Sequence, residues 1–194
     1  MPENYNDNPK VSHALVIWLH PIGKGTERAI KEFKSDWIDF CEDQHMIVLA
    51  PLAGDATTGW TPGESDFIVE AVKYVTDSYN IDKRRIIVHG LGLGGQMSYY
   101  MGFHNRNLIR GVATLGAPMT SNPKERVANQ PLSFFLVGGG KDPLKDAIKD
   151  THKKLVEHKF PSVYKEIEDI GHEYFQETAD LKMLIRWIDS LDRI

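Results

Sequence analysis

Apolar and polar positions follow two rhythms along this chain. Residues 14–19 (ALVIWL) and 46–50 (MIVLA) are continuous apolar runs, as strands buried on both faces require. Elsewhere the apolar residues recur every three or four positions. Ile30, Phe33, Trp37 and Phe40 form one stripe and predict a helix over about 27–42. Phe67, Ile68, Ala71, Val72 and Val75 line the inner face of a second helix over about 65–79. Leu181, Leu184, Ile185, Ile188 and Leu191 do the same for the last one. Further strands are predicted within 85–89, 108–115 and 131–137, and helices over 96–104 and 144–159. Residues 163–167 (VYKEI) alternate and are more polar, as an edge strand would be.

Strands alternating with helices predict an α/β fold, a small doubly wound, mainly parallel sheet of about six strands with helices on both faces. No repeat, low-complexity tract or linker interrupts residues 11–194, which are read as one domain behind a polar, loosely held stretch at 1–10. A length of 194 residues suits one substantial core. The net charge of -4 leaves no basic footprint, so nucleic acid has little support as a partner. No apolar run approaches membrane-spanning length, and the polar start MPENYND does not read as a signal peptide. That start also fits a chain cut from a larger multidomain protein, and the compartment stays open between cytoplasmic and secreted or periplasmic. Cys41 is the only cysteine, which excludes an intrachain disulfide, and its place on the apolar side of a helix reads as a small buried hydrophobe.

The chemistry turns on residues 85–97, RIIVHGLGLGGQM, a strand, a glycine turn and a helix start. Two motifs fit. Gly90, Gly92 and Gly95 match G-x-G-x-x-G, the dinucleotide fingerprint, which calls for an acidic residue about 20 positions on. Residues 96–124 contain no Asp or Glu, and two strand–helix units precede the motif, so this reading is demoted and no cofactor is expected. Gly90 and Gly94 also match G-x-S-x-G, the nucleophile elbow, with Gly92 at the serine position. The elbow reading asks for an acid and then a histidine, each after a later strand. Asp142 and His172 stand in that order.

Here the chain resembles the α/β-hydrolase superfamily, and within it small esterases of the polyhydroxybutyrate-depolymerase, feruloyl-esterase and phospholipase/carboxylesterase kinds. The resemblance runs from Leu19-His20-Pro21 through residues 66–68 and 79–85, Gly94-Gly95 and Lys141-Asp142-Pro143 to Gly171-His172. It implies that position 92 is the nucleophile site, Asp142 the acid and His172 the base, with an oxyanion hole from the N–H groups of Leu93 and Ile22. Pro21 takes the place of a common glycine in that loop and has no N–H to give. Gly92 cannot attack an ester carbonyl. The expected function is therefore an esterase-like domain that lacks its nucleophile, is non-catalytic or very weakly active, and either binds a small ester, acyl or peptide-like ligand or serves as an interaction module of a larger protein. The alternative is a genuine ester hydrolase, either an engineered serine-to-glycine form or one in which Asp142 and His172 activate water. A dinucleotide binder is the third reading.

Other residues have plainer readings. Asp142-Pro143 also suits a helix start, with Asp as N-cap. His20 borders the site as ligand contact or support, and Trp60 either lines a pocket or covers the core. His89 reads as packing. Ser98 lies more than a turn into its helix and does not replace the missing nucleophile. His13, His45, His104, His152 and His158 have no ligand spacing, so no metal site is inferred. Residues 23–26 (GKGT) fail the Walker pattern.

Overall fold

The computed structural model describes residues 5, 8, 10–27, 30, 31, 33, 37, 40, 41, 43–55, 57–175 and 178–193. Six strands form one sheet: β1 (His13–Leu19), β2 (Met46–Leu49), β3 (Ile81–Leu91), β4 (Gly111–Leu115), β5 (Ser133–Gly139) and β6 (Ser162–Ile167). All neighbours pair in parallel in the order β2-β1-β3-β4-β5-β6. Four helices are complete among the described residues: α1 (Ser65–Ser78), α2 (Leu93–His104), α3 (Lys145–Glu157) and α4 (Thr178–Ser190). Of the helix expected over 27–42, residues 27, 30, 31, 33, 37, 40 and 41 are described and helical, and the remainder lies outside the described residues. No described helix is long and apolar enough to cross a membrane.

The strands are apolar on both sides because both sides are covered. In β1, Leu15, Ile17 and Leu19 face one core with Ile68 and Val72 of α1, Met97 and Met101 of α2, and Ile148 and Leu155 of α3. Ala14, Val16 and Trp18 face the other, with Ile30, Phe33, Trp37 and Cys41 and with Leu181, Leu184 and Ile188 of α4. β6 carries the polar, half-exposed alternation expected of an edge. After β1 the chain steps outward to β2 and then back across to β3. The order therefore reverses between β1 and β3, where α/β sheets leave a crevice beyond their carboxyl ends.

Three boundaries differ from expectation for identifiable reasons. β3 begins at Ile81, not near residue 85, because His13 pairs with Ile81 while Leu15 already pairs with Ile86. The intervening polar residues bulge from the ladder, and Asp82 there binds both Arg84 and Arg85 at 3.2 Å. α2 begins at Leu93, not Gln96, so it includes Gly94 and Gly95 despite their poor helix propensity. α3 begins at Lys145 with Leu144 as N-cap, so Asp142 does not cap it. Of the polar stretch at 1–10, Tyr5 is described, and it is docked. Its ring packs edge-on against Tyr79, and its hydroxyl accepts the Asn80 N–H at 3.1 Å.

Candidate active site

The centre of the site is the turn from β3 into α2. Gly92 has φ 57° and ψ -119°, a left-handed region that glycine enters without a Cβ penalty. Its N–H donates to Leu115 O and its carbonyl accepts from Gln96, both at 3.0 Å, which ties the turn to β4 and to the first helical turn. The flanking glycines answer to space. A Cβ on Gly90 would lie 2.4 Å from the Gly94 carbonyl carbon, and one on Gly94 would lie 1.9 Å from Leu19 O. Strand, turn and helix thus cross at backbone contact. That packing accounts for Gly90 and Gly94 without a bound pyrophosphate.

Asp142 and His172 arrive from the far end of the chain. Gly139 and Gly140 let the end of β5 and the loop after it lie against the loop after β6. A Cβ on Gly139 would sit 2.3 Å from Gly171 O, and the Lys141 N–H donates to Ile170 O at 3.0 Å. Asp142 follows, with its side chain fully buried. One carboxylate oxygen accepts the Leu144 N–H at 2.8 Å, and the other lies 3.0 Å from His172 Nδ1. An ionised carboxylate accepts only, so Nδ1 carries the proton and Nε2 presents a lone pair. The His172 side chain is 41% exposed. A Cβ built on Gly92 would stand 2.9 Å from His172 Nε2. The structure therefore brings Gly92, Asp142 and His172 together, with His172 Nε2 directed at the position where a side chain on Gly92 would stand.

Gly116, which the sequence reading did not single out, forms the floor of this pair. It has φ +56°, and a Cβ there would lie 2.9 Å from His172 Nδ1 and 3.0 Å from Asp142 Oδ2. Its only sequence signal is a glycine directly after a strand.

Ile22 and Leu93 flank Gly59 at the mouth. A Cβ on Gly59 would lie 2.8 Å from Leu93 Cδ2 and 3.2 Å from Ile22 Cγ1, and Ile22 is 55% exposed. The Leu93 N–H lies in the first turn of α2, where no intrahelical acceptor precedes it. His20 and Trp60 are buried, and they brace the loops behind the mouth. His20 Nε2 accepts the Ala53 N–H at 3.1 Å, so Nδ1 bears the proton and donates to Pro21 O at 2.9 Å. The Trp60 indole N–H donates to His20 O at 3.0 Å. The polar atoms of both side chains are thus engaged in holding these loops together.

A second buried network holds the histidine loop from below. The Trp37 indole donates to Tyr174 Oη at 2.9 Å, and Tyr174 lies 2.8 Å from His89 Nε2. His89 Nδ1 lies 3.1 Å from Ala113 O, a carbonyl that can only accept, so Nδ1 donates and Nε2 receives the Tyr174 proton. Burial pushes the His89 pKa down to about 4, and the neutral ring is the form this network needs. Tyr174 had no visible signal in the sequence, because its partners lie 85 and 137 positions away. Ser98 is buried and donates to Gly94 O at 2.8 Å, so its hydroxyl is occupied within α2. Cys41 is buried in the second core. Among the described residues, no group of three or more His, Cys, Asp or Glu side chains is placed to hold a metal ion.

No family model matches the chain. Over 131 residues it is 21% identical to a bifunctional acetylxylan esterase/xylanase of Neocallimastix patriciarum. That match covers 66% of this chain and 19% of the relative, so the chain spans about a fifth of that protein's length. Among solved structures it is similar to a ferulic acid esterase, with TM-score 0.75 at 16% identity over 98% of this chain and 90% of that one. An esterase from Rhizomucor miehei gives 0.73 at 12% identity, covering 95% and 75%. The S-formylglutathione hydrolase of Staphylococcus aureus gives 0.70 at 15%, covering 91% and 81%. The chain has the α/β-hydrolase fold.

Proposed function

We propose that this chain is an esterase-like domain that binds a small ester or acyl ligand in the cleft between Gly92, His172 and the Ile22 loop, without forming an acyl-enzyme. One observation carries the reading. His172 Nε2 is held by a buried Asp142 and aimed at Gly92, 2.9 Å from where a Cβ would stand. A base is in place, and the group it would deprotonate is missing. Loss of the serine from a serine hydrolase removes about six orders of magnitude in kcat, leaving what positioning and the oxyanion hole supply.

The same dyad supports a second reading, slow hydrolysis through water. A water above Gly92 would give its proton to His172 Nε2 as its oxygen bonds to the ester carbonyl carbon. The carbonyl oxygen would be held by the N–H groups of Leu93 and Ile22. The imidazolium would then pass the proton to the departing alcohol. The hydrogen bond between His172 Nδ1 and the Asp142 carboxylate at 3.0 Å favours keeping this reading beside the first.

A short-chain p-nitrophenyl ester panel, run on the protein and its Gly92→Ser variant, separates the two. On the binding reading the unmodified chain is silent, while the variant turns over ester and takes up a fluorophosphonate label. The variant also requires His172 to withdraw by several tenths of an ångström, which its half-exposed ring allows. Placing serine at φ 57° costs about 1–3 kcal/mol, measurable as a lower denaturant midpoint. Turnover by the unmodified protein that disappears in His172→Ala would overturn the binding reading and leave water activation.

A further inference from the structure

At the far end of α2 from Gly92, roughly 16 Å along the helix axis, the surface opens into a cavity of about 310 Å³. Its buried floor is Phe103 and Arg106, and its rim carries His104, Asn107, Lys124 and Gln130, with Glu125 and Val127 beside them. Arg106 is 9% exposed, yet among the described residues no carboxylate lies within ion-pair distance of it. Its guanidinium donates to the Glu125 backbone carbonyl and lies over the rings of Phe103 and Phe160, 5.4 and 5.8 Å from their centroids. Its Nε is buried without any hydrogen-bond partner.

A buried charge without a counter-charge is costly and is normally paired. Here the unpaired cation forms the floor of an open cavity that also collects a second cation, Lys124, and two side-chain amides, Asn107 and Gln130. His104, on the rim, has its Nδ1 2.8 Å from the Tyr100 carbonyl and donates to it, so that nitrogen is engaged within α2. Glu125 is exposed on the same rim and is the one acidic side chain there, so the cavity remains cationic on balance.

We propose that this cavity is a binding site for a small organic anion, with a carboxylate or phosphate head against Arg106 and Lys124 and a short apolar body against Phe103 and Val127. The volume is at the lower end for ligand pockets, which restricts the occupant to a small molecule. Arg106 sets the site because it combines charge, a planar donor fork and an aromatic bed. The site is separate from the Gly92 cleft and does not depend on the proposed function.

The test is titration of the intact chain with sodium benzoate and with inorganic phosphate, against sodium chloride at matched ionic strength. Amide chemical shifts and the thermal midpoint are followed together. The expected result is a saturable shift confined to the Phe103–Asn107 and Lys124–Gln130 amides, with a rise in midpoint that chloride does not give. Benzoate binding alone marks an aromatic carboxylate site, and phosphate binding alone marks a phosphate-ester site. Arg106→Gln should weaken binding at least tenfold. Lys124→Gln, at an exposed position that leaves the core intact, should weaken it three- to tenfold, and it decides the matter if Arg106→Gln does not fold. Gly92→Ser should bind as the parent does. Absence of any saturable response to both anions, or equal affinity in Lys124→Gln, overturns the proposal.

Discussion

Single positions in this protein are set by how closely two backbones, or a backbone and a ring, approach. Gly116 is the sharpest case. Any side chain there would enter the space of both His172 and Asp142, at a φ that already disfavours one. Gly116→Ala should therefore displace the His172 ring and cost about 2–4 kcal/mol, from backbone strain and overpacking together. Denaturant unfolding measures the cost. The His172 imidazole resonances report the lost Nδ1–carboxylate bond, and an unchanged spectrum would show that the floor is not as tight as described. Gly92 is the opposite case, since the room there is limited only by the movable tip of His172. Asp142 shows why a residue can satisfy two readings at once. One carboxylate oxygen closes the turn before α3 through Leu144, and the other holds His172.

At the scale of elements, the site depends on three loops, two of which clamp each other. The loop after β1 is fixed by His20 to Ala53 and Trp60. The end of β5 and the loop after it lie on the loop after β6 through Gly139 and Gly140. The histidine loop is tied to His89 of β3 and to Trp37 through Tyr174. Tyr174→Phe keeps the ring contacts and removes only the hydroxyl, leaving the Trp37 indole and His89 Nε2 without that partner. The expected cost is about 1–3 kcal/mol, with faster amide exchange over the described residues 170–175. Exchange rates equal to the parent's would mean that the ring packing alone anchors the loop.

Across the whole molecule, the buried His89 couples folding to acid. It is surrounded by Trp18, Trp37, Tyr174 and Phe175, and no carboxylate is among these ring neighbours. Its pKa falls from 6.5 to about 4 on folding, so between those values the unfolded chain binds the proton and the native chain does not. The contribution to stability is full above pH 6.5 and is lost progressively as pH falls toward 4. Its size is on the order of 3 kcal/mol. Urea midpoints measured from pH 7 to pH 4 should fall accordingly, and His89→Gln should flatten that part of the curve. A parallel fall in the variant would assign the acid sensitivity to other groups.

Most of the fold was legible because burial leaves a periodic trace. A strand covered on both faces must be apolar throughout, and a helix on its surface must be apolar on one stripe. The runs at 14–19 and 46–50 and the stripes of α1 and α4 follow from that alone. The placing of Gly92, Asp142 and His172 after β3, β5 and β6 was legible for the same reason, since parallel strands put their carboxyl ends on one edge. What the sequence could not determine is what touches across the sheet. The need for glycine at 94, in the first turn of α2, was decided by the approach of Leu19, and the hydrogen bonds of His20 and Trp60 by the loops around them. Gly116 and Tyr174 became visible only once the chain had closed around His172. Periodicity is a property of neighbours along the chain, whereas these contacts join residues tens of positions apart, whose approach is set by how all six strands and their covering helices pack.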